Sequence, residues 1–340
     1  MPVYIAVGLL AGTPLASAHH SRANFLLDET ITFEGTIADY TWKNPHVFLE
    51  VKTADSSKAW LIEAHSLTGL KRMGWSSGTF AVGDKVVIVG NPDRNPDRQF
   101  VLLDHIIADK GETLYSFRRP EDRGGEPRSA PRVAPSTDFT GTWTRVSTLR
   151  QALVGGFVPP TDWPVTERGQ AGIDTFTLDD NPAYDCISLG MPRITLSPYL
   201  IRWTRHEDRI VIEKEHSDFS RSIRLDQARH PENLERNPVG HSIGIIGRDG
   251  SLSVDTIGMP AARWGLSTGL DSSEELHVRE RYTLTDDGLG MDVSYTIIDP
   301  VYLTEPVTVE GRYRKVPDSP LTPFECDQDT ARRHLTAETD

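Results

Sequence analysis

The chain has 340 residues and a formal net charge of −13 at neutral pH, with 25% charged and 37% hydrophobic residues. That balance describes a globular chain of about two domains. The acidic excess argues against non-specific binding to nucleic acid or to anionic lipid, because both need a cationic face.

An apolar run from Val3 to Leu15 ends at Ala16-Ser17-Ala18, an A-x-A-like cleavage site. The run is short of the ~20 apolar residues that span a bilayer. It reads as the core of a signal peptide covering residues 1–18, although no Lys or Arg precedes Arg22. Cleavage there implies a periplasmic or secreted protein that begins at His19. A free α-amine beside an imidazole is a bidentate grip for copper(II), so His19, His20 and His46 form a candidate metal set, with His65 and His105 in reserve.

Residues 19–117 read as a first domain of five short strands. Apolar patterning places them at 31–37, 47–51, 59–64, 86–89 and 100–108. A short helix follows the third strand, with Ser66 as its N-cap and Gly74 as its stop. This order is that of an OB-like barrel. Tyr40, Trp42, Trp60 and Trp75 are either core residues or platforms for stacking sugars. Residues 118–137, rich in Pro, Gly and Arg, form an exposed linker.

Residues 138–327 read as a second domain of antiparallel strands. They fall near 139–146, 199–205, 209–216, 220–226, 241–247, 251–257, 276–285, 290–299 and 307–315. Asp249-Gly250 and Asp287-Gly288 mark hairpin turns. Asp138-Phe139-Thr140-Gly141-Thr142-Trp143 resembles the G-x-W opening of lipocalin-like barrels, in which the Trp plugs one end. The fold class is therefore all-β, with an OB-like barrel followed by a lipocalin-like one. Cys186 and Cys326 are an even pair in an export context and imply one disulfide. The tail, residues 328–340, is polar and expected to fray.

Four stretches of the first domain resemble a family of uncharacterised exported bacterial proteins. They are Ala18-His19-His20-Ser21, Gly35-Thr36-Ile37, Trp42-Lys43-Asn44-Pro45-His46 and Gly83-Asp84-Lys85-Val86. The second domain resembles another exported module. The resemblance is carried by Gly240-His241-Ser242-Ile243-Gly244, Leu276-His277-Val278-Arg279-Glu280-Arg281-Tyr282 and Asp299-Pro300, among others. It departs from that module at Gly247-Arg248-Asp249-Gly250, where an aromatic-acidic pair is usual. The resemblance implies export and a β-rich fold, and no activity.

Strand alternation sorts the polar residues of the second domain by face. It groups His241 with Ile243 and Ile245, Glu280 with Val278 and Tyr282, Asp299 with Tyr295 and Ile297, and Arg221 with Ile223. If these faces point inward, His241 can act as an acid–base pair with Glu280 or Asp299, and Arg221 can hold an anionic group. The alternative is a structural ion-pair network. Asp255, His277 and Asp226 are second-rank candidates, and Glu213 and Glu215 read as a solvated face. No catalytic fingerprint motif occurs. Three functions follow from this reading. The second barrel binds a small, mostly apolar molecule and transforms it by cofactor-free lyase, isomerase or cyclase chemistry; or the chain binds copper through His19; or it is an envelope interaction module without a site.

Overall fold

The computed structural model describes residues 25–116, 133–146, 159–196, 199–215, 219–318 and 320–336. The signal segment with His19 and His20, most of the linker and the last residues of the tail lie outside this set. No helix among the described residues is long and apolar enough to cross a membrane.

The first unit is a five-stranded barrel. Its strands are β1 (Ile31–Thr41), β2 (Phe48–Lys52), β3 (Trp60–Glu63), β4 (Lys85–Pro92) and β5 (Phe100–Ala108). β1 pairs with β2 and β4, β2 with β3, β4 with β5, and a parallel β3–β5 pairing closes the ring. Helix α1 (Leu67–Arg72) sits between β3 and β4 with Ser66 as its N-cap, where the sequence placed it. A sixth strand, β6 (Thr113–Tyr115), extends β5 and was not evident from the sequence. β1 crosses β2 closely at Gly35, where a Cβ would lie 2.4 Å from Val51 Cγ1. Trp75 is buried beneath Phe80, and Tyr40, Trp42 and Trp60 pack along the same core. The aromatics therefore belong to the core and not to a sugar-stacking face.

The second unit is a closed nine-stranded barrel. Its strands are β7 (Gly141–Arg145), β8 (Ile201–Arg205), β9 (Arg209–Lys214), β10 (Ser220–Arg224), β11 (His241–Ile246), β12 (Leu252–Ile257), β15 (His277–Leu284), β16 (Gly290–Ile298) and β17 (Val307–Val316). A small hairpin, β13 (Ala262–Ser267) and β14 (Leu270–Ser272), lies between β12 and β15 and was not predicted. Helix α2 (Glu167–Thr175), also unpredicted, lies against β14. All barrel pairings are antiparallel except β10–β11. There the chain makes a long excursion over 225–240 and returns parallel. Trp143 is fully buried and its indole N–H donates to the Phe139 carbonyl at 3.0 Å, as the G-x-W opening implied.

The bore of this barrel is filled and not hollow. Arg221 and Glu280 face inward and form a bidentate ion pair, with Arg221 Nη1 3.0 Å from Glu280 Oε1 and Nη2 on Oε2. Ser242 and Thr256 hydroxyls accept two of the three remaining guanidinium protons at 2.8 and 2.6 Å. Tyr282 donates to Glu280 at 2.8 Å; its oxygen lies 3.4 Å from that of Tyr295, which lies 3.2 Å from Tyr313. Tyr313 donates to the Thr195 carbonyl at 2.9 Å, and so does buried Lys214. A polar chain thus crosses the whole barrel, embedded among Trp143, Trp203, Met291 and Val293.

Burial alone depresses the Arg221 guanidinium, but the Glu280 carboxylate against it outweighs that and holds its pKa above the ordinary value. Removing one partner of such a pair strands a charge and costs about 3–5 kcal/mol, whereas replacing both with apolar groups costs far less. Glu280→Gln and Arg221→Met should each lower the urea midpoint of the second barrel sharply. The double variant Arg221→Met with Glu280→Leu should be more stable than the sum of the two single losses predicts. Strict additivity in urea titrations would show that the pair is not coupled.

Candidate functional site

The structure separates the four residues that alternation had grouped. Arg221 and Glu280 are inward, as expected, but are consumed by each other. His241 is not inward, and this corrects the expectation. On β11 the buried residues are Ser242 and Gly244, while His241, Ile243 and Ile245 face out. The reason is volume. Arg221 needs the Ser242 hydroxyl beside its Nε, and a Cβ at residue 244 would lie 2.5 Å from Ile223 Cγ2. Small residues therefore face the crowded bore, and the apolar alternation of β11 belongs to the outer wall. Asp299 is buried just past the end of β16, and its carboxylate accepts from Ser273 N–H at 2.7 Å, Ser273 Oγ at 2.8 Å and Val301 N–H at 3.2 Å. It staples a turn and is not joined to His241.

Of the proposed metal ligands, His46, His65 and His105 each have other hydrogen-bonding neighbours. His46 Nδ1 lies 3.3 Å from both the Ala64 carbonyl and Glu63 Oε1. His65 Nδ1 is 2.9 Å from Ser66 Oγ, and His105 Nδ1 is 2.9 Å from Asp104. Among the described residues no three His, Cys, Asp or Glu side chains gather as ligands. His19 and His20 lie outside the described residues.

What the outer wall does assemble is a different set. His241 Nδ1 lies 2.8 Å from His230 Nδ1. His230 Nε2 lies 2.9 Å from Asp255 Oδ1, and His277 Nε2 lies 2.8 Å from Asp255 Oδ2. His230 comes from the 225–240 excursion, His241 from β11, Asp255 from β12 and His277 from β15. Partial burial depresses the His241 pKa, and the His230 ring and the Arg224 guanidinium push it the same way. Burial tends to raise Asp255, but hydrogen bonds from His230 and His277 overcome it and leave the carboxyl low. In the sequence Asp255 stands out by alternating away from Leu252 and Val254, whereas His277 and the His230-Pro231 pair are marked only as part of the resemblance of the second domain to an exported module.

A cleft of about 390 Å³ opens at the rim of the same barrel. Met191, Met259, Pro182, Pro238, Pro260 and Ile187 give it an apolar lining, with Asp179, Asp180, Asp185 and Arg263 among its polar residues. Met191 is its floor: Met191 Sδ lies 3.9 Å from Arg221 Nη1, so the buried ion pair stands directly behind. Gly240, at φ 68°, allows Met259 to approach; a Cβ there would meet Met259 Sδ at 2.4 Å. One wall of the cleft is the segment 179–188, which is braced from behind. Cys186 is bonded to Cys326, as the sequence implied, and Asp185 accepts from Gln328 at 2.7 Å and from Arg332 Nε at 2.9 Å.

Gln328 and Arg332 belong to helix α3 (Gln328–Thr336), which replaces the frayed tail expected from composition. The helix is docked on the first barrel. Lys43 Nζ donates to Asp327 at 2.7 Å, Asp327 N–H to the Asn44 carbonyl at 3.0 Å, and Arg333 to Thr41 at 2.6 Å. Asn44 Oδ1 also accepts the Leu67 N–H at the start of α1, at 3.1 Å. The Trp42–His46 motif is thus the seat of the tail. Glu215 corrects a further expectation: it faces out but is buried, because Arg72 at the end of α1 covers it with an ion pair.

Residues 8–101 match DUF6152, a family of unknown function. No curated protein matches the chain. Among solved structures, a secretory abundant heat soluble protein from Ramazzottius varieornatus is similar at 9% identity over 53% of this chain and 96% of its own, with a TM-score of 0.28.

The Lys43 hydrogen bond and charge, with Thr330, lower the Asp327 pKa from its ordinary 3.8 to about 2. A carboxyl lowered on folding stabilises the docked tail above its unfolded pKa and stops doing so as pH falls through the folded one. Amide protection of α3, taken relative to the unfolded chain at each pH, should therefore hold down to about pH 4 and fall toward pH 2. In Lys43→Met the fall should begin at higher pH; an unchanged profile would mean that this contact does not hold the tail.

Proposed function

We propose that the protein is an exported two-barrel protein that binds a small, mostly apolar molecule in the rim cleft of its second barrel. The observation that carries this reading is the cleft itself. Its volume falls within the range of small-molecule sites, and its lining is apolar with a few charged groups around it. Two methionines face it, and flexible thioethers adapt to irregular apolar ligands. The seat differs from the one first expected, because the bore is occupied by the Arg221–Glu280 pair and the tyrosines. Export is supported by the segment Val3 to Ala18 and by the Cys186–Cys326 bond, a form of cysteine usual in oxidising compartments.

Titration with the neutral fluorophore N-phenyl-1-naphthylamine tests the reading. Saturable binding with about one site per chain is expected. Ala261→Trp, at an exposed position on the cleft wall, should weaken it at least about tenfold, the equivalent of ~1.4 kcal/mol. Saturable binding that Ala261→Trp leaves unchanged, or no saturable binding, would contradict it.

A further inference from the structure

Three features of the second barrel lie outside both its core and its cleft: the His230–His241–Asp255–His277 set, the exposed Ile245 and Ile246, and a shallow groove of about 430 Å³ beside them. All three meet at β11. His241, Ile243 and Ile245 share the outward face of β11, and Leu225, Ala228, Ile245 and Ile246 line the groove.

The hydrogen bonds determine where the protons sit. A carboxylate only accepts, so His230 Nε2 and His277 Nε2 both carry a proton toward Asp255. With one proton on the His230 ring, its Nδ1 is bare and accepts from His241 Nδ1–H. His241 is left with its lone pair on Nε2, in a tautomer fixed by its partner. A proton taken up at Nε2 can be balanced by moving the Nδ1 proton to His230, which becomes an imidazolium against Asp255. This is the base–orienter logic of a catalytic triad, built with two imidazoles. The charged groups facing the set are Arg224 from β10, itself held by Asp208 and Asp226, and Arg279 from β15, 3.6 Å from Asp255.

We propose that His241 Nε2 is the general base of a hydrolytic site for small esters with an aliphatic acyl chain, with His230 and Asp255 as positioning residues. His241 removes a proton from water as the water oxygen bonds to the ester carbonyl carbon and the π-pair moves to its oxygen. His230 takes the Nδ1 proton of His241. When the tetrahedral adduct collapses, the carbon–alkoxy bond breaks, the alkoxide takes the proton from Nε2, and the Nδ1 proton returns. An acid and an alcohol leave, and no co-reactant is needed. Ile243 and Ile245 lie two and four residues from His241, about 7 and 13 Å along the strand, so a medium-length alkyl chain that starts at the imidazole runs over Ile243 toward Ile245. The 66% exposure of Ile245 offers that chain an apolar rest. The proposal is independent of the rim cleft.

The full chain is assayed on p-nitrophenyl octanoate and p-nitrophenyl acetate across the neutral pH range. Saturable hydrolysis of the octanoate is expected, rising with pH to a midpoint below the ordinary imidazole value. His241→Gln should lower kcat/KM about a hundredfold, the scale of one general base. His230→Phe should lower the plateau and release His241 from the Nδ1–H tautomer in its imidazole ¹⁵N shifts, since it removes the partner at Nδ1. Ile245→Ser should raise KM for the octanoate and leave the acetate unchanged. Imidazole ¹⁵N shifts should show His241 as the Nδ1–H tautomer, a readout independent of turnover. The proposal is overturned if His241→Gln, folded by near-ultraviolet circular dichroism, hydrolyses the octanoate as the native chain does. It is equally overturned if the native chain is no faster than free imidazole, or if His241 carries its proton on Nε2.

Discussion

Two opposite charges placed inside a closed barrel must meet, and that requirement organises the second half of this molecule. Arg221 enters from β10 and Glu280 from β15, with β11 and β12 between them. Their contact is possible only because the intervening inward positions are small: Ser242, Gly244 and Thr256. Those hydroxyls take two of the three guanidinium protons that the carboxylate leaves over, and the third, on Nη1, faces Met191 Sδ. Tyr282, Tyr295 and Tyr313 then carry the polar chain across to Thr195 and Lys214. Burial raises the tyrosines well above their ordinary pKa and lowers Lys214 well below its own, so the tyrosines stay neutral at physiological pH. A bore filled in this way has no room for a ligand, which is why binding is proposed at the rim.

The rim cleft is not built by the second barrel alone. Its 179–188 wall is joined by Cys186–Cys326 to the tail, and the tail is seated on Lys43 and Asn44 of the first barrel. Asp185 at the cleft edge takes its hydrogen bonds from the same helix whose Arg333 reaches Thr41. The bond spans a sequence separation of 140 residues, and loops of that length gain most from closure in the chain-entropy account. The first barrel thereby acts as an anchor for one wall of the cleft.

The strand pattern of both barrels was readable because apolar alternation and turn residues agree along most of the chain. Ser66 as a cap and Arg221 and Glu280 as inward charges follow from that local agreement, and the burial of Trp143 follows from the G-x-W resemblance. The reading failed where tertiary volume set the face. On β11 the apolar positions are His241-Ile243-Ile245 neighbours on the outside, because the inside is already occupied by Arg221 and Ile223 from the adjoining strand. It failed again for Glu215, covered by Arg72 of the first barrel, and for α3, held between Asp185 and the first barrel, because contacts between distant segments leave no periodic trace. His230 belongs to an irregular excursion, so its meeting with His241 and Asp255 is a consequence of the parallel β10–β11 pairing alone.

We propose binding at the rim of the second barrel because the charge pair and the tyrosines close its bore. The position of bound N-phenyl-1-naphthylamine in a crystal of the complex tests this most directly. The account predicts the fluorophore against Met191, Met259 and Pro238, with Arg221 and Glu280 still in contact. A fluorophore between Tyr282 and Tyr313, with the pair parted, would contradict it.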